Sequence, residues 1–411
     1  MSSPYIEYVR GLLRLHQLDC DERSESDEAE AVRDSLEVPW SLLSKSERER
    51  IKGLSADLYG ISAPALTVAP TKESQRAIQE AMEARNIGNW DESLSIIRTF
   101  ENQFEHGLIA YIRGTVWREA GDNLTATVFF KHASELHKDN DNYRYMYLST
   151  LASAEPAQAL LLANEILQDA NANSPQVVTR AADICLVSSK SLPESDLLPK
   201  LDSLAVILEN VVSRLEQVQP ANQSVFAHAV TLAAFCQDGL GKSIAALRLY
   251  NLGIAANPTN DALLVARGIL QYGKSDSAIR DFRLAIQLES PLVWPSLFLG
   301  HHYLTNGQYE DCLKVCEQAL NRVSSNSLNA ALYEWIGISR SELGMPAEKV
   351  RDAFEEAVRL DPENDRIRKN FSAFESALEG AVTAKHWEKL PVLMFQLMGR
   401  KMHRGSLAVA A

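Results

Sequence analysis

The 411-residue sequence predicts an all-α protein, a solenoid of stacked helical hairpins behind a small helical segment. Three observations point there. A helix–turn–helix unit recurs between roughly residues 74 and 378 at a period of about 34 residues. Within the copies a glycine marks the turn, and a small residue is followed four positions later by an aromatic one, the pairing wanted where two helices approach closely. Apolar residues at 46% and charged residues at 23% suit a folded chain of this length, either two or three domains or one extended array.

Residues 1–62 differ from the rest. An acidic stretch from Asp19 to Glu30 includes Ser26, suited to cap a helix with Glu28 and Glu30 near its positive end. Pro39 is expected to stop that helix or the turn after it. Ser44 and Glu47 have capping-box spacing, and Ile51, Leu54 and Leu58 then lie on one stripe. Three short helices are expected here. "ISAPALTVAPTKE" reads as a linker, with residues 63–73 separating the acidic module from the array.

The first copy, "AIQEAMEARNIGNWDESLSIIRTF", marks its turn with Gly88 and Trp90. "IAYIRGTVWREAGDNLTATVFFKHASEL" follows, with Gly114, Trp117, Gly121, Ala126, Phe130 and Ala133. Residues 140–214 hold two degenerate units, because "VSSKSLPESDLLPK" is longer than the pattern allows. Next comes Gly239-Leu240-Gly241-Lys242-Ser243, which looks like the end of a phosphate-binding loop. That loop needs a first glycine where the chain has Cys236. The repeat register instead puts Gly241 at a turn, Lys242-Ser243 at a helix start and Ala246 and Tyr250 on the inner face. No nucleotide site is expected.

"ALLVARGILQYGKSDSAIRDFRLAIQLESP" carries Gly268, Ala278, Phe282 and Ala285. "WPSLFLGHHYLTNGQYEDCLKVCEQAL" carries Gly300, Tyr303, Gly307, Tyr309, Cys312, Cys316 and Ala319. "YEWIGISRSELGMPAEKVRDAFEEAVRLDP" carries Gly337, Gly344, Phe354 and Ala357. "ENDRIRKNFSAFESAL" is expected to close the array as a solvating cap, with Asn364, Asp365, Arg366, Arg368 and Lys369 facing out. In residues 379–411 an apolar run from Leu390 to Met398 meets Lys401, His403 and Arg404. This tail is expected to form an amphipathic helix, either packed on the last repeat or serving as a docking segment.

Across about three quarters of the chain these positions resemble tetratricopeptide repeats. The resemblance implies a right-handed α-α superhelix whose first helices line a concave groove. It also implies a non-catalytic scaffold that binds a peptide or helix of a partner there. Residues 1–62 resemble an N-terminal module that accompanies such repeats in bacterial proteins and carries no known activity. One subgroup of the family clamps chaperone carboxylates with Lys and Asn, and that clamp is absent here. Groove positions fall at Tyr111, Thr115, Arg118, Arg144 and Leu148, then Val265, Ile269, Leu297, His301, Glu334 and Ile338. Of these, Tyr111, Arg118, Arg144 and His301 are the exposed candidates for holding a partner, since aromatic and arginine side chains carry disproportionate binding energy.

Other chemistries fare worse. Cys312 and Cys316 with His301 and His302 have donor types suited to zinc. The cysteines, however, occupy core slots, so no metal is expected. Paired carboxylates at Glu355-Glu356 and at Asp276 with Asp281 are read as solvent-facing. No catalytic set and no cofactor is expected. An alternative makes the chain a regulatory or adaptor subunit of an enzyme complex, docking through the N-terminal module or the tail. A net charge of −13, from 41 Lys and Arg against 54 Asp and Glu, opposes a nucleic-acid surface. Five scattered cysteines, no secretory signal and no long apolar run suggest a soluble cytoplasmic protein.

Overall fold

The computed structural model describes residues 3–62, 71–189, 192–217, 223–320, 322–323, 325–380 and 386–406. The expected linker at 63–73 lies mostly outside these residues. Among them all regular structure is helical, and the chain divides into two compact units, residues 1–188 and 189–411.

The first unit opens with four helices rather than three: α1 (Pro4–Cys20), α2 (Asp27–Ser35), α3 (Glu37–Leu42) and α4 (Lys45–Ser62). Ser26 caps α2 by accepting from the Ala29 N–H. Ser44 and Glu47 form the expected box, with the Ser44 N–H donating to Glu47 at 2.7 Å. Pro39 does not stop a helix. It sits in the first turn of α3, where a missing N–H costs nothing.

Then come the pairs α5 (Lys72–Asn86) with α6 (Trp90–Phe100), α7 (His106–Glu119) with α8 (Asn123–Leu136), and α9 (Asp141–Ala154) with α10 (Pro156–Gln168), followed by α11 (Pro175–Ser188). The N-terminal helices share the core of these repeats. Val9, Leu13, Ile51, Leu54 and Leu58 are buried in one cluster with Leu94, Ile97, Ile112, Trp117 and Phe129. Beside it the fully buried Asp57 takes two hydrogen bonds from Arg98, at 2.7 and 2.8 Å, and an ion pair from buried Arg113 at 3.0 Å.

The second unit begins with the long α12 (Glu194–Gln217), which packs on α13 (Gln223–Gly239). The pairs α13 with α14 (Ser243–Ala256), α15 (Asp261–Gln271) with α16 (Ser277–Gln287), α17 (Trp294–Thr305) with α18 (Tyr309–Leu320), and α19 (Asn326–Glu342) with α20 (Ala347–Leu360) follow in order. Their turns at Gly241, Gly273, Gly307 and Gly344 hold glycines in the left-handed region, which explains why the repeat keeps glycine there. Several hairpins close over a tight contact to a glycine. A Cβ on Gly300 would stand 2.9 Å from Cys316 Sγ and 3.4 Å from the Trp335 ring. One on Gly268 would meet the Phe282 ring at 2.6 Å. α21 (Asp365–Leu378) follows, and the described residues end in an irregular stretch, residues 386–391, and α22 (Val392–Ser406).

The Gly-Lys-Ser run takes the repeat register. Gly241 has φ +75°, α14 starts at Ser243, and Lys242 Nζ meets Asp202 at 2.9 Å. Two surface readings need correction. Asp281 is buried and takes two bonds from Arg267, at 2.7 and 2.8 Å. Arg366 turns inward from α21 to the buried Glu334, because a buried carboxylate needs a partner. Among the described residues no helix is long and apolar enough to cross a membrane.

Candidate functional site

The first helices of successive pairs carry the candidate residues, and the two units treat that face differently. In the first unit, Tyr111 and Arg118 are seven residues apart on α7 and therefore lie on one face. The half-buried Tyr111 ring stacks on Tyr143 of α9 with centroids 4.8 Å apart, and its hydroxyl accepts from Asn142 Nδ2 at 2.9 Å. Arg118 is exposed, with its guanidinium 3.4 Å from Met146 Sδ. Arg144, on α9, donates to the Asn173 side-chain oxygen. These three residues thus line adjoining first helices. Beside them, residues Glu135–Asn142 and Gln176 border an open hollow of about 890 Å³.

In the second unit the expected exposure of His301 does not hold. His301 is completely buried beneath the chain's own C-terminal segment. Phe395 of α22 stacks on its ring at 4.3 Å and 7°, with Trp335 edge-on to Phe395 at 5.6 Å. His301 Nε2 donates to the Leu390 carbonyl at 2.9 Å, so Nδ1 accepts from the Tyr272 hydroxyl at 2.7 Å. Burial lowers the His301 pKa to about 4 and keeps the ring neutral, despite the opposing pull of the Leu390 carbonyl. The nearby positive groups Arg366, His302 and Lys389 lower it further.

The segment runs across the face from the last pair toward earlier ones. Trp387 Nε1 donates to Glu342 at 2.8 Å. Asn370 of α21 clamps the main chain at Glu388, donating to its carbonyl at 2.9 Å and accepting from its N–H at 2.8 Å. Lys389 Nζ reaches the Leu304 carbonyl at 2.9 Å. Gln396 Nε2 then donates to the carbonyls of Ile269 and Leu270 at 2.9 and 2.8 Å, near the C-terminus of α15 where carbonyls lack helical partners. Under the segment, Glu334 accepts from Asn370 at 2.7 Å and pairs with Arg366. Burial raises the Glu334 pKa to about 7, against the opposing effect of Arg366. The other face of α22 leaves Leu393, Met394 and Leu397 exposed.

The tail therefore packs on more than the last repeat. The contacts that hold it, made by Asn370 and Glu342 and by Gln396 of the tail itself, were not legible as a site, because nothing local marks two segments some 20 to 130 positions apart as partners. The other predicted groove positions in this unit, Val265, Ile269, Leu297, Glu334 and Ile338, are all buried. Cys312 and Cys316 lie in the α17–α18 core with their sulfurs 3.9 Å apart, and the Cys312 thiol points to the Gly300 carbonyl. His301 faces away from them toward Leu390. The side chains of Lys401, His403 and Arg404 lie outside the described residues.

No family model matches the chain. It is 28% identical over 184 residues to the human protein named tetratricopeptide repeat protein 16, a match covering 42% of this chain and 20% of that protein. The chain thus spans about a fifth of the length of the curated relative it matches. Among solved structures it is similar to a tetratricopeptide repeat protein from Parabacteroides merdae, at 14% identity and a TM-score of 0.43, over 66% of this chain and 99% of that one. It is also similar to the C-terminal part of a TPR repeat-containing protein from Cytophaga hutchinsonii, at 12% identity and a TM-score of 0.33, over 71% and 98%.

Proposed function

We propose that this tetratricopeptide repeat protein is a non-catalytic scaffold that holds a peptide or helix of a partner protein on the concave face of its first helices. The observation that carries this reading is the docked tail. In the second unit, the first-helix face grips a peptide main chain through Asn370, places an aromatic ring against His301 and satisfies α15 carbonyls with a side-chain amide. Binding by such contacts is shape-complementary docking with no covalent step. In the first unit the same face carries Tyr111, Arg118 and Arg144 with no chain segment described across them, and these are the proposed partner contacts. The acidic balance of the chain weighs against nucleic acid as the partner.

The adaptor alternative, docking through the N-terminal module or the tail, has less support. Helices α1–α4 are packed into the first unit's core, and the tail is engaged by its own repeats.

The test is a double variant, Arg118→Ala with Arg144→Ala, in the full chain. Arg118 is exposed and Arg144 partly so, so melting should move little. Capture of the cellular partner should weaken at least roughly tenfold, about 1.4 kcal/mol. Undiminished capture would remove the first-unit face from the proposal.

A further inference from the structure

We infer that residues 386–399 are an internal ligand of the second unit, and that the unit exchanges them for a partner segment of the same chemistry. That segment is an extended stretch leading into a helix that presents an aromatic ring followed directly by a side-chain amide. The inference rests on the scaffold reading above and adds the identity of the motif recognised.

Three features characterise how this face holds the segment. Its grip on residues 386–391 is directed at main chain: Asn370 reads both polar groups of Glu388, and His301 reads the Leu390 carbonyl. Such contacts accept many sequences. Specificity comes next, from the slot formed by His301, Trp335, Phe298 and Tyr272 around the Phe395 ring, and from the Ile269 and Leu270 carbonyls that take the Gln396 amide. Finally, the polar groups on this face can be wetted, although Trp387 and Phe395 also join the unit's hydrophobic cluster. His301, Glu334 and Asn370 are buried only with hydrogen-bond partners, and water can replace the tail's part of those bonds when it leaves.

A segment tethered in cis competes at an effective concentration on the order of millimolar. The intact chain should therefore resist a free copy of its own tail, and loosening the tail should unmask the face. The probe is a fluorescent peptide of residues 386–399, titrated into the full chain and followed by anisotropy. Two variants loosen the tail differently. Phe395→Ala removes the ring from its slot. Gly399→Leu drives a side chain into the Phe298 ring, against which Gly399 packs directly. Both variants should bind the peptide at least tenfold more tightly than the parent, and a peptide with Ala in place of Phe395 should lose that gain. Folded variants that bind the peptide no better than the parent would overturn the inference. So would loss of helical circular dichroism in both variants, because the tail would then be an inseparable part of the unit. Neither result touches the Arg118 and Arg144 experiment, which reads the other unit and a different ligand.

Discussion

The two units share one way of closing a hairpin and differ in what lies on the face that the hairpins leave behind. In the first, Gly114 of α7 faces the Phe130 ring of α8, and the first-helix face carries Tyr111, Arg118 and Arg144, with an exposed arginine among them. In the second, Gly300 of α17 faces Cys316 of α18, but the equivalent face is roofed by residues 386–399, and His301 is buried. The close contacts within hairpins are thus set by neighbours near in sequence, whereas faces are set by whatever segment arrives from far along the chain. The acidic N-terminal module makes a similar point. It joins the first unit's core through Ile51, Leu54 and Leu58 and secures itself with Asp57.

The shared part of the comparison should yield the largest effects. A Cβ at Gly114 would lie 2.9 Å from the Phe130 ring, and one at Gly300 would lie 2.9 Å from Cys316 Sγ. Gly114→Leu and Gly300→Leu should therefore each cost about 3 kcal/mol or more, through overpacking in both units. Denaturant melts of the two variants measure this. A large loss at one site with none at the other would break the claim that the hairpins are built alike. Next in size is Asp57→Ala, which leaves Arg113 buried with Glu101 alone and Arg98 without its carboxylate. Breaking a buried pair costs about 3–5 kcal/mol when a charge is stranded, and the remaining Glu101 contact puts the expected loss at the lower end. A melt unchanged by Asp57→Ala would detach the N-terminal helices from the first unit's stability.

How much of this was legible in the sequence follows from the same division. Glycine at a left-handed turn and alanine or glycine opposite an aromatic ring are local requirements, so Gly241, Gly307, Phe282 and Phe354 gave their places away at repeat spacing. Asp281 looked like surface because a carboxylate on a helix is usually solvated, yet Arg267, fourteen positions earlier, neutralises it in the interior. Arg366 looked like a solvating charge until Glu334, itself an unremarkable groove position, required a cation. For His301 the sequence offered a histidine on a first helix, which was correct, and nothing about Phe395, 94 positions later. Amphipathic character in Leu390–Met398 was visible, but a helix that buries Phe395 while exposing Leu393, Met394 and Leu397 has no single apolar stripe from which to read its dock.

The roofed face can be sharpened by pH. The folded chain holds His301 neutral, with its pKa lowered from 6.5 to about 4 by burial and by Arg366, His302 and Lys389. A base with a depressed folded pKa contributes stability above its unfolded pKa. That contribution is lost as pH falls from about 6.5 toward 4, at no more than about 1.4 kcal/mol per pH unit. Glu334 runs the other way, since its pKa is raised to about 7 and its contribution fades as pH rises from 4.5 to 7. Comparing the parent with His301→Gln cancels the Glu334 effect to first order. The stability advantage of the parent should shrink on acidification across that window. An advantage that stays flat from pH 7 to 4.5 would mean that His301 is not held neutral beneath the tail.

The smallest effect is expected at the residue whose sequence context looked most like chemistry. Lys242 follows Gly241 in a run resembling a phosphate loop, but Gly241 makes the hairpin turn and Lys242 immediately precedes α14. Its ammonium reaches Asp202 at 2.9 Å, with more than half of each side chain open to water. Exposed pairs of this kind contribute between zero and about 1 kcal/mol, because solvent screens the attraction and two long side chains must be ordered to gain it. Lys242→Ala should therefore leave the melt within about 0.5 kcal/mol of the parent. Titration with ATP should give the same null heat for both proteins, since Cys236 stands where the loop's first glycine would turn backbone N–H groups around a phosphate. A micromolar ATP affinity that disappears in Lys242→Ala would contradict the repeat reading of α13 and α14, and would place a ligand site on the second unit at a turn rather than on its first-helix face.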